Sequence, residues 1–433
     1  MTIGSANLLF PSDFLWGTAT ASHQVEGNNT NSDWWAWEQA GHVLDGTRSG
    51  LACDHYHRFR EDFDLLAALH QNAHRLSLEW SRIEPAPGQF DQTEIRHYRE
   101  VLEHLRRLNI EPVVTLHHFT NPVWLAEHGG WEVPEVVDAF GRYVQEAVAA
   151  FGDLVRYWVT INEPVIYGTM GYLAGAWPPG KRSFPGIVNA LHNMILGHAR
   201  AARIIRERSP RSDVQVGIAH HLRIFDPYRP ILPGDRFVAR LGEMLFNRAV
   251  LLSILKGQFQ FPFGWGPVPD GADSLDFIGL NYYSREMATF DFRRSETYFG
   301  SFFPHPSRPK TAAGWEIYPE GMYRVLKFLT QFGKPILITE NGVADERDEL
   351  RPAFLISHLQ QIYRAISEGM PVKGYLHWSA FDNFEWAEGR RLRFGLIHVD
   401  FETQRRTVKP SGELYAKICA AGGLDAAVLT GYP

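Results

Sequence analysis

Eight short runs of β-branched, aromatic and other apolar residues, each followed by polar residues, recur along the whole chain. They lie at 15–19, 74–78, 112–116, 157–161, 214–219, 276–280, 335–339 and 372–376. Most of the intervals carry apolar residues at a helical period, as at Phe59, Phe63, Leu66 and Leu69, which gives each intervening helix one apolar face. Strand and helix alternating eight times predict an α/β fold, a (β/α)8 TIM barrel.

The length of the chain is compatible with one such barrel. It has 433 residues, and a single barrel with long loops at the C-terminal face of its strands can exceed about 400 residues. We therefore predict one domain, residues 1–433. The longest intervals, 162–213 and 281–335, are expected to supply loops that form pocket walls. Residues 259–269, rich in Gly, Pro and aromatic residues, are expected to be an irregular connection, since no polar low-complexity tract marks a linker.

Composition excludes several classes of partner. The net charge of −6 comes from 49 acidic and 43 basic residues, without a Lys/Arg run that would bind phosphates, so we expect no nucleic acid partner. No stretch of 18 apolar residues occurs, so no membrane span is predicted. Cys53 and Cys419 are too few for a disulfide framework, and the first ten residues lack the features of a secretory signal; a cytoplasmic location is expected.

Two glutamates follow predicted strands at the positions where barrels keep their reactive groups. Glu163 lies in 160–164 (TINEP) and Glu340 in 338–342 (ITENG), each before chain-turning residues. A pair of carboxyl groups across a barrel mouth suits glycosidic bond cleavage, in which one protonates the leaving oxygen and the other attacks or assists at the anomeric carbon. The ordinary alternative is two solvated loop glutamates, which their shared placement disfavours.

The chain resembles glycoside hydrolase family 1, the retaining β-glucosidases and β-galactosidases, nearly from end to end. The matching segments include Arg75 and the two glutamate segments, together with 14–22 (FLWGTATAS), 24–27 (QVEG), 54–58 (DHYHR), 80–83 (WSRI), 116–119 (LHHF), 277–283 (FIGLNYY), 314–319 (GWEIYP) and 378–386 (WSAFDNFEW). The resemblance implies that Glu163 is the general acid/base and Glu340 the nucleophile that forms a covalent glycosyl-enzyme. A retaining mechanism would place the two carboxyl groups about 5 to 5.5 Å apart.

The resemblance also implies roles for residues around this pair. Arg75 and Tyr283 would keep Glu340 ionised, and Asn162 would bond the sugar 2-hydroxyl. Asn281, after the sixth predicted strand, is expected to support catalysis together with these residues. Hydroxyls and the apolar face of a sugar would be held by amides, a carboxylate and aromatic rings, namely Gln24, His118, Trp378, Glu385 and Trp386. Each of these has an ordinary structural alternative as a core or turn residue.

The expected substrate follows from the same residues. A carboxylate at Glu385 would repel a phosphate, so we expect hydrolysis of terminal unphosphorylated β-D-glucosides, and also β-galactosides and β-fucosides. Transglycosylation stays open, and neither cofactor nor metal is expected. The leaving group would meet Val165, Trp177 and Trp315; Val165 stands where the family often has Trp, which suggests a differently shaped outer subsite.

Two other classes remain as alternatives. A metal-dependent barrel hydrolase would use strand-end histidines and an aspartate, for which His55, His57, His220 and Asp382 are the candidates. A sugar-binding protein would keep the pocket without turnover.

Overall fold

A closed barrel of eight parallel strands forms the centre of the molecule. The computed structural model describes residues 7–294 and 299–431. Along the chain the barrel strands are Leu15–Ala19 (β1), Ala73–Ser77 (β2), Glu111–His117 (β3), Tyr157–Asn162 (β4), Gln215–Pro227 (β5), Phe277–Phe290 (β6), Ile336–Asn341 (β7) and Val372–Trp378 (β8). Each pairs in parallel with its neighbours in sequence, and β8 pairs with β1 to close the ring. The predicted (β/α)8 barrel is confirmed.

Helices occupy the connections between strands. The principal ones are His55–Ala68 (α1), Gln92–Arg107 (α2), Glu135–Phe151 (α3), Phe184–Arg208 (α4), Ala249–Lys256 (α5), Pro319–Thr330 (α6), Arg351–Ser367 (α7) and Pro410–Ala421 (α8). Short α-helical segments are Ser22–Val25, Asp33–Gln39, Trp80–Ile83, Val123–Glu127, Pro164–Gly168, Pro233–Gly242 and Ala426–Gly431. Single 3-10 turns lie at Gly130–Glu132 and Trp386–Glu388, and π-helical turns at Thr169–Ala174 and Glu243–Arg248.

The sequence of α2 shows why these segments are helical. The Asp91 side chain caps the helix by accepting from the backbone N–H groups of Thr93 and Glu94, which would otherwise lack partners. Tyr98 and Leu102 are among the apolar residues buried on one face. Polar residues cover the opposite face, so the helix is held mainly by packing against the barrel.

Six predicted strands differ from the observed ones by at most two residues at either end, whereas the fifth and sixth are much longer than predicted. They continue to Pro227 and Phe290 and remain paired, from Ile224 opposite Arg285 to Pro227 opposite Ala288. A further strand, Gly300–Phe303, adds to β6 in antiparallel orientation. The extension therefore rises beyond the C-terminal end of the barrel and forms one side of its mouth.

One connected apolar core runs from Leu8 to Val428 and includes the barrel interior and the inner faces of the helices. Two small antiparallel pairings lie outside the barrel. They join Leu8–Leu9 to Gly423–Leu424, and Ile397–Val399 to Arg406–Val408. Within the described ranges, each helix is too short or too polar to cross a bilayer.

Candidate active site

A local irregularity at the end of β4 presents Glu163 to the barrel mouth. Val159 pairs with Gly217 and Asn162 with Ala219, so β4 carries one residue more than β5 over this step. Such a bulge re-aims the following side chain. The Glu163 N–H donates to the Ala219 carbonyl at 2.8 Å, and Glu163 has φ of 43°, in the left-handed region. The helix Pro164–Gly168 begins directly after it.

Glu340 lies within β7 beside a similar irregularity. Leu280 pairs with Ile338 and Asn281 with Glu340, so β7 has an additional residue relative to β6. The strand then passes very close to β8. A Cβ atom added at Gly342 would lie 1.7 Å from the Trp378 carbonyl oxygen, which leaves room only for glycine.

Arg75, on β2, contacts residues at the C-terminal ends of both β4 and β7. Its Nη1 donates to Glu340 Oε1 at 2.5 Å, and its Nη2 donates to Asn162 Oδ1 at 2.7 Å. Tyr283 donates its hydroxyl to the other oxygen of Glu340, Oε2, at 2.6 Å. The carboxylate of Glu340 thus has a guanidinium on one oxygen and a phenol on the other, and both donors favour its charged form.

Asn281 connects this cluster to Glu163. Its Nδ2 donates to Glu163 Oε1 at 2.8 Å and to Asn162 Oδ1 at 3.2 Å. Its Oδ1 accepts from the Thr339 hydroxyl at 2.6 Å, which fixes the orientation of the amide. A continuous chain of hydrogen bonds, through Arg75, Asn162 and Asn281, therefore joins the two glutamates.

The two buried carboxyl groups influence one another. Burial raises the pKa of Glu340 to about 7, the like charge of Glu163 adds to the shift, and Arg75 and Tyr283 oppose it. Burial acts in the same direction on Glu163, but His221, Asn281 and Arg75 lower the pKa of that carboxyl on balance.

The charge on His221 decides how this pair is protonated. Its Nδ1 lies 3.2 Å from Glu163 Oε1, and it lowers the Glu163 pKa by charge only when the ring is protonated. Burial lowers the pKa of His221, and although the charge of Glu163 opposes this, Arg223 adds to the shift and the pKa is lowered on balance, so the ring is neutral at neutral pH. Glu163 then has only neutral donors in contact, whereas Glu340 keeps a guanidinium. Because two buried like charges this close disfavour double ionisation, we expect the pair to hold one proton at neutral pH.

A cavity of about 440 Å³ opens onto both glutamates. Nine of the fourteen residues singled out from the sequence line it, namely His118, Glu163, Trp177, Tyr283, Trp315, Glu340, Trp378, Glu385 and Trp386. Arg75, Asn162, Asn281 and Gln24 are buried directly behind its wall and bond residues that line it or each other.

His118 and Gln24 each have a buried polar atom beside this cavity that bonds no other residue of the described part of the chain. Asn162 Oδ1 already accepts from Arg75 and Asn281, so the amide group of Asn162 donates through Nδ2 to His118 Nε2 at 3.1 Å. Because Nε2 of His118 is then an acceptor, the single hydrogen of the neutral ring is on Nδ1. That Nδ1 and Gln24 Oε1 have no partner among residues 7–294 and 299–431. Gln24 Nε2 donates to the Phe384 carbonyl at 2.9 Å. One donor and one acceptor are therefore available for hydroxyl groups of a ligand.

Aromatic rings and a carboxyl group complete the same side. The ring of His118 stacks on Trp378 and Trp386, with centroids 5.9 and 6.0 Å apart. Glu385 Oε2 accepts from Gln24 Nε2 at 3.3 Å. Burial raises the pKa of Glu385 to about 8, with the charge of Glu340 contributing. This wall has the mixture of flat apolar faces and polar groups that suits a sugar ring.

The residues expected around a leaving group occupy two places. Trp315 packs against Tyr283 with ring centroids 5.3 Å apart, and Trp177 packs against Trp386 at 5.9 Å; both line the 440 Å³ cavity. Val165 lies instead on a separate, mainly apolar cavity of about 290 Å³. Arg223 lines both cavities.

Several residues at the site were not predicted from the sequence. His221 and Arg223 follow the predicted fifth strand and contact the surroundings of Glu163, and the paired histidines at 220–221 were the available signal. His23 stacks on Trp386 at 5.7 Å with the rings 8° from parallel. Glu79 is buried and accepts from the Thr120 and Ser22 hydroxyls at 3.0 Å.

The residues suggested for a metal-dependent hydrolase are dispersed. His55 pairs with Asp62 at 2.7 Å, and His220 Nε2 bonds the Asn247 carbonyl at 3.0 Å. Asp382 accepts from Lys409 at 2.7 Å. Within the described part of the chain, no group of three or more His, Cys, Asp or Glu side chains is arranged to hold a metal ion.

Comparisons with known proteins agree with this geometry. A family model described as glycosyl hydrolase family 1 matches residues 6–264 and 270–424. Beta-glucosidase A of Thermotoga maritima is 36% identical over 96% of this chain and 99% of its own. The structure of a beta-glycosidase from Pyrococcus horikoshii superimposes with a TM-score of 0.93, at 37% identity over 99% of this chain and 98% of its own. The Thermotoga maritima beta-glucosidase in complex with glucoimidazole gives 0.90, at 36% identity over 96% and 100%.

Proposed function

The chain belongs to glycosyl hydrolase family 1 and is a β-glucosidase-type glycoside hydrolase, and we propose that it cleaves terminal, unphosphorylated β-D-glucosides with retention of the anomeric configuration. Glu163 is the general acid/base and Glu340 is the nucleophile. The observation that carries this assignment is the unequal set of donors on the two carboxyl groups. Glu340 contacts a guanidinium and a phenol, whereas Glu163 contacts an amide and a neutral imidazole.

The reaction proceeds in two displacements. In the first, Glu163 gives its proton to the glycosidic oxygen while a carboxylate oxygen of Glu340 attacks the anomeric carbon. The carbon–oxygen bond to the leaving group breaks, and its electron pair stays with the departing alcohol. In the second, the Glu163 carboxylate takes a proton from water, the water oxygen attacks the anomeric carbon, and Glu340 is released. Two inversions give net retention.

The change in charge during this cycle matches the two tasks of Glu163. While Glu340 is ionised, its charge raises the pKa of Glu163, which favours the acid form needed first. Once Glu340 is esterified by the sugar, that charge is gone and Glu163 is more readily a base. The hydrogen-bond chain through Asn162 and Asn281 keeps the two groups at a fixed relative position.

The surrounding residues hold the sugar. His118 donates through Nδ1 and Gln24 accepts through Oε1, since neither atom has a hydrogen-bond partner in the described part of the chain. Asn162 has one further Nδ2 hydrogen for the 2-hydroxyl. Trp378 and Trp386 supply the apolar face, and Glu385 hydrogen-bonds hydroxyl groups and, in its ionised form, disfavours a phosphate.

These contacts leave the configuration at the 4-hydroxyl unselected, so β-galactosides and β-fucosides are further proposed substrates. Transfer to an alcohol or sugar competes with hydrolysis whenever such an acceptor reaches the glycosyl-enzyme before water. Trp177 and Trp315 face the leaving group, whereas Val165 lies on the neighbouring apolar cavity, part of which a larger side chain would fill.

Hydrolysis of an aryl β-glucoside, followed by proton NMR of the first sugar released, tests the central proposal. The expected first product is the β-anomer; an α-anomer would overturn retention, and no release would favour a sugar-binding protein. Glu340→Gly is expected to lose hydrolysis and to form the α-glucosyl azide when azide is supplied. Glu346→Gly, in an exposed bend after β7, is the matched control and should keep normal activity.

A second comparison separates the two glutamates. Glu163→Ala should retain much more activity on a dinitrophenyl glucoside, whose leaving group needs no proton, than on a methyl glucoside. An equal loss on both substrates would contradict the acid/base assignment.

The one-domain organisation and the cytoplasmic location also remain proposals. The main apolar core, which connects residues from Leu8 to Val428 in the described part of the chain, supports one catalytic domain over residues 1–433. Cys53 and Cys419 are buried free thiols, as is usual for proteins of a reducing compartment.

A further inference from the structure

We propose that His221 and Arg223 are positioning residues that determine which oxygen of Glu163 carries the transferable proton. The inference rests on the proposed role of Glu163 as general acid. Both residues lie on β5, just beyond the barrel, where the strand is paired with β6.

The starting observation is that one oxygen of Glu163 is already occupied. Asn281 Nδ2 donates to Oε1 at 2.8 Å, and His221 Nδ1 lies 3.2 Å from the same atom. In the described part of the chain, Oε2 accepts no hydrogen bond. A carboxylic acid has one hydroxyl, and a hydroxyl hydrogen on Oε1 would be crowded by the Asn281 N–H that donates to that atom and by the nearby His221 Nδ1.

Arg223 fixes the hydrogen on His221. Its Nε lies 3.4 Å from His221 Nε2, and because a guanidinium can only donate, Nε2 must accept. The single hydrogen of the neutral ring is then on Nδ1, the ring nitrogen that lies 3.2 Å from Glu163 Oε1. Arg223 Nη1 is in turn 3.4 Å from Glu286 Oε1.

The backbone of Arg223 is held as firmly as its side chain. Asn247 Nδ2 donates to the Arg223 carbonyl at 2.7 Å, and the Arg223 N–H donates to Asn247 Oδ1 at 3.1 Å. The guanidinium lies over the ring of Phe246, 5.0 Å from its centroid. The His221 ring packs between Phe246 and Tyr283, at 5.6 and 5.5 Å.

The consequence is an acid whose two oxygens have different tasks. Oε1 is a permanent acceptor, and the proton is restricted to Oε2, the oxygen left free to contact the glycosidic oxygen. When Glu163 becomes a carboxylate, the same N–H groups stabilise the charge without moving. Positioning of this kind reduces the reorganisation required when the proton is transferred.

Two polar replacements test this inference without introducing an apolar residue beside the acid. The amide of asparagine imitates Nδ1 of histidine, and that of glutamine imitates Nε2. His221→Asn is expected to keep kcat/KM for methyl β-glucoside within about threefold of the wild type. His221→Gln is expected to lose about tenfold or more, a part of the 10²- to 10⁴-fold that a positioned acid supplies. For dinitrophenyl β-glucoside both variants should stay within about threefold.

The tautomer can be read directly in the wild type by ¹⁵N NMR of histidine-labelled protein, with His221→Asn identifying the signals. We expect a protonated Nδ1 and an unprotonated Nε2. In Arg223→Leu, which removes the guanidinium, this preference should weaken, and activity on methyl β-glucoside should fall more than activity on dinitrophenyl β-glucoside.

The outcomes separate this inference from the proposed function. If the wild type hydrolyses neither glucoside, the proposed function fails. If the wild type is active but His221→Gln loses the same factor on both substrates, or if the wild-type hydrogen is on Nε2, the positioning role is wrong.

Discussion

The hydroxyl of Tyr283 offers a sharp test of how the charge on Glu340 is maintained. Tyr283→Phe removes one oxygen, which donates to Glu340 Oε2 at 2.6 Å, and leaves the ring packed against Trp315 at 5.3 Å. A hydrogen bond to a charged group contributes about 1.5 to 3 kcal/mol. Since one pKa unit corresponds to about 1.4 kcal/mol, the pKa of Glu340 should rise by roughly one to two units.

The sign of the effect on activity follows from the role proposed for Glu340. The nucleophile must be ionised, and a higher pKa means that it is protonated at pH values where the wild type is active. The acidic limb of kcat/KM should therefore move to higher pH by about one to two units. The loss should be greatest in acid and smaller on the basic side. The assay is the pH profile of kcat/KM for an aryl β-glucoside.

Tyr282→Phe is the matched control on the neighbouring residue. The Tyr282 hydroxyl is also buried, but it donates to the Tyr318 carbonyl at 2.7 Å. Its removal should cost about 1 kcal/mol of folding stability and leave the acidic limb in place. A uniform loss of activity in Tyr283→Phe, with the limb unmoved, would refute the argument that this hydroxyl holds the charge on Glu340.

Three further predictions concern charge, stacking and the fold. Arg75→Leu should reduce kcat/KM at neutral pH by about 10- to 1,000-fold, because an adjacent arginine lowers a carboxyl pKa by roughly one to three units; restored activity at higher pH would support this cause, and unchanged activity would exclude it. Trp386→Ala should raise KM by about 2- to 13-fold, equivalent to about 0.5 to 1.5 kcal/mol of ring stacking, with kcat little changed; a fall in kcat alone would contradict a stacking role. Asp382→Ala should cost about 3 to 5 kcal/mol in denaturant unfolding, because Lys409 loses its partner at 2.7 Å. Burial raises the pKa of Asp382, but His398 and Lys409 outweigh it and lower the pKa on balance. The stability that Asp382 contributes is therefore complete above the pKa of the carboxyl in the unfolded chain and is lost as the pH falls through its pKa in the folded protein. The free energy of unfolding of the variant should therefore fall less in acid than that of the wild type.

The barrel was predictable because each strand is a short run of apolar residues and each helix shows apolar residues at a helical period, and both are properties of neighbouring residues in the sequence. The continuation of β5 and β6 to Pro227 and Phe290 was not, because it depends on pairing between segments far apart in sequence. Residues such as Arg223, Arg285 and Glu286 interrupt the apolar pattern there. Their place in a strand is determined by the partner strand and not by local composition.

The same limit applies to the candidate site. Glu163 and Glu340 were singled out because each closes a strand, a property of the sequence near it. The contact between His221 and Glu163 depends on the register between β4 and β5, including the additional residue after Val159. A contact between residues far apart in sequence cannot be read from local patterns. The resemblance to a known family identified only those site residues that belong to the family's motifs.

The bulges beside the two glutamates make strand length as important as residue identity. On each of β4 and β7, one additional residue precedes the carboxyl group. Because side chains alternate between the two faces of a strand, deleting Thr160 or Thr339 would shorten the strand by one residue and direct the carboxyl group away from the mouth. At these strand ends an insertion or a deletion should therefore be more damaging than a substitution that keeps the glutamates, their donors and Gly342. Variants intended to widen the leaving-group site are better obtained by exchanging residues at constant length here, and by changing length only in the connections that lead away from the barrel.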